Sequence, residues 1–61
     1  MVKIGDLIVV QGFMPPAKVE KIWHDKTTSR IVIELDWGEF GKSKVYEHDE
    51  NKVWFKYTGA N

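Results

Sequence analysis

Apolar side chains in this chain recur at every second position rather than every third or fourth, in five short runs parted by turn-forming residues. Alternation of that kind puts one set of side chains on each face of an extended strand, so the chain is expected to be all-β. The runs are Ile4 to Val10, Ala17 to Trp23, Arg30 to Trp37, Lys42 to Tyr46 and Val53 to Tyr57. The first is apolar on both faces, as in a strand held between two layers. In the second, Ala17 and Val19 share a parity that Ile22 does not, which predicts a β-bulge near Glu20-Lys21 and a strongly curved strand. In the fourth, Ser43 and Val45 face inward while Lys42 and Lys44 face outward.

The connections are equally specific. Gly12-Phe13-Met14-Pro15-Pro16 is a loop stiffened by two prolines that donate no ladder hydrogen bond, and it displays Phe13 and Met14. His24 to Ser29 reads as a polar hairpin tip, and Gly38-Glu39-Phe40-Gly41 as a glycine-flanked turn. Glu47-His48-Asp49-Glu50-Asn51 offers acceptors that suit a single 3₁₀ turn ahead of the fifth strand.

Length decides how such strands are arranged. With 61 residues there is room for one domain, residues 1–61 with a core of about 3–57, and with no cysteine its stability rests on side-chain packing alone. Hydrophobic residues make up 43% and aromatics 13%, three of them Trp, which suffices for a core and is too much for a disordered tail. Five short strands with one 3₁₀ turn before the last strand form a small five-stranded SH3-like barrel, whose closure removes most sheet edges. An OB-type barrel needs a longer helix between its third and fourth strands, for which this chain has no space.

Nine basic and nine acidic residues cancel, so the long-range field that draws basic proteins onto nucleic acid is missing. Residues 1–31 lean basic and residues 32–61 lean acidic. Asp6 interrupts the only early apolar run, no small-residue cleavage site follows it, and no run reaches membrane-spanning length, so a cytoplasmic protein without membrane contact is expected.

Three local patterns resemble the Tudor, PWWP and chromo-barrel group of domains. Ile4-Gly5-Asp6-Leu7-Ile8-Val9-Val10 is similar to their opening glycine-aspartate strand. Gly12-Phe13-Met14-Pro15-Pro16-Ala17-Lys18-Val19 resembles the PWWP signature, with both of its tryptophans replaced. Ile33-Glu34-Leu35-Asp36-Trp37-Gly38 resembles the Tudor strand that closes on aspartate, an aromatic and glycine. The resemblance implies a Tudor-like barrel that binds a peptide or protein partner, basic or methylated, between aromatic faces that attract a dispersed cation. Trp37 matches the cage position, Phe13 lies where another wall is supplied, and Phe40 substitutes from the turn. A second resemblance is to the plasmid-type dihydrofolate reductase subunit, also a tiny SH3-like barrel. Its pore uses a Val-Gln-Ile-Tyr strand where this chain has Lys44-Val45-Tyr46, and no nucleophile with a paired base or spaced carboxylate dyad is present, so the reading is non-catalytic.

The expected ligand groove therefore comprises Phe13, Trp37, Phe40 and Tyr46, with Asp36 and Glu39 supplying negative charge. Against it stands the demand of a barrel this small for every large side chain it can bury, which would draw Trp37 and Tyr46 into the core or rim. The alternative partner is nucleic acid, held by Lys18, Lys21, Lys26 and Arg30 with Trp23 stacking on bases, against a solvated strand face interspersed with Glu20 and Asp25. A further alternative is an oligomeric structural subunit, with exposed Trp54 or Trp23 marking the contact face. His24-Asp25 and His48-Asp49 pair two metal-ligand types, but both lie in turns where they serve as caps, and neither metal nor cofactor is expected.

Overall fold

The computed structural model describes residues 2–13 and 15–58. The chain is all-β: β1 (Leu7–Val10), β2 (Ala17–Asp25), β3 (Arg30–Asp36), β4 (Lys42–Tyr46) and β5 (Trp54–Lys56) form one antiparallel sheet in the order β4-β3-β2-β1-β5. The alternation of the sequence sets the register. Val19 faces Leu35 and Ile22 faces Ile33 across β2 and β3, and Ile33 faces Val45 across β3 and β4, so the apolar set falls on one side. Between Val19 and Lys21 the pairing slips by one residue, at the bulge expected there, which bends β2 and lets the sheet curl over its own apolar face.

That face is the core. Ile8, Ala17, Val19, Ile33 and Leu35 are completely shielded, Val10 and Val45 almost so, and Ile22, Trp37 and Trp54 pack against them half-buried. Val2, which lies outside the expected core span, is buried in the same cluster. Val32 is also buried, yet it sits on the opposite face. Its register partners Trp23 and Tyr46 flank it there, with the Lys44 ammonium 5.4 Å from the Trp23 ring and the Arg30 guanidinium 4.5 Å from the Tyr46 ring. The outer side of β2, β3 and β4 thus carries an apolar spot of its own, roofed by cations over aromatic rings.

The first strand begins later than its apolar run. Gly5 donates to the Val19 carbonyl and Asp6 bends back on Lys3, whose N–H meets the Asp6 carboxylate at 2.8 Å, so regular pairing starts only at Leu7. Nor is β1 covered on both faces: Ile8 and Val10 point inward, whereas Leu7 is exposed. The second strand runs on through His24 to Asp25, leaving a tighter hairpin tip than expected, where the Asp25 carboxylate accepts the Thr27 N–H.

Among the described residues the one 3₁₀ turn lies at Gly38–Phe40, between β3 and β4, and not before the last strand. The reason is which carboxylate meets which donor. Asp36 accepts the Gly38 N–H at 2.8 Å and starts the winding, and Gly41, at φ +96°, ends it in a conformation that side chains resist. Before β5, by contrast, the Asp49 carboxylate takes the N–H groups of Tyr46, Asn51 and Lys52 itself, a side-chain turn that competes with helical winding.

Among the described residues no backbone ladder joins the two outer strands, β4 and β5. Side chains close the seam instead: the Trp54 indole donates to the Tyr46 carbonyl at 2.9 Å and the Lys52 ammonium to the Lys44 carbonyl at 3.0 Å. The alternation of the β3–β4 ladder turns the backbone groups of Lys44 and Tyr46 toward this side, where an open strand edge would invite pairing with another chain. Among the described residues no helix is long and apolar enough to cross a membrane.

Leu35→Ala opens a cavity at the centre of the core and is expected to cost about 3 kcal/mol, a large share of what a domain of this size has, so urea titration followed by circular dichroism should find it largely unfolded near neutral pH. Acid should act partly through Asp49: burial raises its carboxyl pKa, but three N–H donors and the Lys52 charge outweigh that and hold it below the ordinary value. Its contribution to stability is then complete above the normal carboxylate range and is lost as the pH falls through the lowered value. Asp49→Asn, which keeps one acceptor oxygen where two are used, should lower Tm by about 5 °C at neutral pH, with the gap to the parent closing below about pH 4.

Candidate functional site

One end of the barrel carries an open cleft of about 400 Å³. Two connections build it. Gly12, at φ +89°, turns the chain just after β1, the Phe13 N–H returns to the Val10 carbonyl at 3.0 Å, and Phe13 is thereby set at the cleft mouth. Opposite, the Gly38–Phe40 turn sets Phe40 on its outer side. Trp37 precedes that turn and leans half-buried on the core; its indole donates to the Ser43 hydroxyl at 2.7 Å, which fixes the ring plane. The Phe13 and Trp37 rings meet at 5.7 Å between centroids and an interplanar angle of 46°, within the range of favourable tilted pairs.

The two phenylalanine rings are not covered by the protein itself. Phe13 is 59% exposed and Phe40 71%, values that place a large apolar area in water beside a concave surface based on Val10 and Val45. The cleft volume falls at the low end of the ~300–1,000 Å³ range typical of ligand pockets. It can take up an apolar or aromatic side chain by shape and dispersion.

Of the residues expected to share this groove, Phe13, Trp37 and Phe40 come together; the others do not. Asp36 spends a carboxylate oxygen on the turn, and neither Asp36 nor Glu39 lines the cleft. The charged side chains that do line it are Lys42 and Lys52, so the local sign is opposite to the negative charge expected. Tyr46 lies elsewhere, under Arg30 in a second, shallower groove with Trp23 and Lys44, because its position in β4 turns it to the outer face. Lys52 was missed by sequence reasoning: it sits in a polar turn with nothing local to distinguish it, and only the chain reversal at Asp49 brings it to the cleft.

The basic residues considered for nucleic acid are dispersed. Lys18, Lys21 and Lys26 are exposed on β2 and its hairpin, Lys18 and Lys21 standing opposite Asp36 and Glu34 in register, while Arg30 lies against Tyr46 and 3.9 Å from Glu50. Trp23 is 37% exposed, with the Lys44 cation over its ring. Trp54 is not the exposed ring expected: it is half-buried on the core and hydrogen-bonded through its indole. A more exposed apolar strip, including Leu7, Val53, Phe55 and Tyr57, runs along β1 and β5 instead. Among the described residues no three His, Asp or Glu side chains gather as for a metal ion. Met14, expected beside Phe13, lies outside the described residues.

Ser43→Ala removes the acceptor that holds the Trp37 indole and should cost about 1 kcal/mol while shifting the Trp37 indole N–H resonance, with those of Trp23 and Trp54 unmoved. Comparison with protein-family models, with curated proteins and with solved structures returns no match.

Proposed function

We propose that the protein is a non-catalytic binding module that docks a peptide segment of a partner protein in the Phe13–Trp37–Phe40 cleft. The observation that carries this reading is the conjunction of two largely exposed phenylalanines with a tryptophan whose ring is already fixed, around a cavity open to solvent. A chain with so small a core does not leave such side chains in water for stability, since each would contribute about 1.5–3 kcal/mol if buried. A ring held by its own hydrogen bond loses little further freedom on binding, which favours it as an anchor surface. The reading agrees with a Tudor-like barrel in the position of the aromatic groove and departs from it in the charge of the lining.

Phe40→Ser tests the reading without touching the core. Screening 15N-labelled protein against short peptides with a central Leu, Phe or Trp should move the Phe13, Trp37 and Phe40 resonances, and the serine variant should bind roughly tenfold more weakly with an unchanged Tm. Absence of shifts around Trp37 with every peptide at millimolar concentration would discard the proposal.

A further inference from the structure

Resting on the reading of the cleft as a peptide site, we infer that its partner is an acidic segment: an apolar side chain that enters between the rings, flanked by a carboxylate that meets Lys52. The cation belongs to the site by construction. Lys52 lies in the turn organised by Asp49, and its ammonium is held at 3.0 Å from the Lys44 carbonyl, on the rim shared by the aromatic cleft and the neighbouring groove. One of its three donors is used, and among the described residues no carboxylate lies within ion-pairing distance of it. The second lysine on the rim, Lys42, is bonded to Glu20 at 2.9 Å, so its charge is largely answered from within the chain.

No nearby carboxylate among the described residues contacts Lys52. Asp49 attracts it across the turn but points both oxygens at the backbone N–H groups, Asp36 caps Gly38, and Glu39 does not line the cleft, so the ammonium keeps donors for a carboxylate from outside. A positive group beside three aromatic rings repels a lysine or methyl-lysine side chain and attracts a carboxylate, while the rings retain their affinity for any apolar group. A nucleic acid is the weaker match. Phosphate tracking needs several free cations in a row, and the rings outside the cleft that would stack on bases, Trp23 and Tyr46, already lie against Lys44 and Arg30.

The test uses two acetylated and amidated pentapeptides, each with a central leucine between pairs of glutamates or pairs of lysines, titrated into 15N-labelled protein at low salt. The glutamate peptide should bind about tenfold tighter, moving the Phe13, Phe40 and Lys52 resonances, and Lys52→Met should abolish that preference while keeping the side-chain stem. Lys52→Glu should invert it, with folding checked by an unchanged Trp37 indole resonance. Equal affinities, or tighter binding of the lysine peptide, would overturn the acidic partner and leave the cleft itself standing; no shift near Trp37 with either peptide would remove both. Tighter binding of a ten-nucleotide oligothymidine than of the glutamate peptide, with shifts at the same residues, would replace the acidic segment by a nucleic acid.

Discussion

Water is excluded from this protein by a small set of aliphatic side chains, and their burial requires the sheet to curl. Ile8, Ala17, Val19, Ile33 and Leu35 come from the three central strands and lie on one face. A flat sheet would leave that face wet. The bulge between Val19 and Lys21 supplies the bend that folds β4 and β5 toward one another, and no disulfide assists. That curl brings the loop after β1 and the turn after β3 to one end, where they frame the cleft.

Because the innermost positions are filled by residues no larger than isoleucine and leucine, the aromatic side chains are displaced to the rim and the surface. Trp37 and Trp54 seal two places on the barrel wall with their polar N–H groups satisfied, and Phe13 and Phe40 are left over. The division has a physical logic. Small branched residues pack a narrow strand-lined interior well, whereas a large ring contributes most where one face can rest on protein and the other remains open to a ligand. The cleft is thus a by-product of how the core is filled as much as of the loops that frame it.

Much of the architecture was legible in the chain. Alternation gave the strands, broken parity located the bulge, and glycines with the proline loop marked the turns that bring Phe13, Trp37 and Phe40 together. Three things were hidden. The 3₁₀ turn was expected at the more acidic connection, but the decision between winding and side-chain capping depends on where each carboxylate points, which composition does not encode. Tyr46 was expected with the other rings, although it shares the outward parity of Lys42 and Lys44 in a strand whose Val45 points inward. The charge of the cleft could not be read at all, since Lys52 reaches it from a separate turn and Asp36 is spent on its neighbour's N–H.

The seam between β4 and β5 has a mechanical meaning. Everywhere else adjacent strands are zipped by repeating backbone bonds, which must be broken together; here two side-chain clasps, from Trp54 and Lys52, span the gap. Such a joint has no ladder to break, so it could part without disturbing the three-strand centre. One of the two clasps is also a rim residue of the aromatic cleft. A guest that captures the Lys52 ammonium would meet the donors that the clasp leaves free, so occupancy of the cleft and closure of the wall would meet on one side chain.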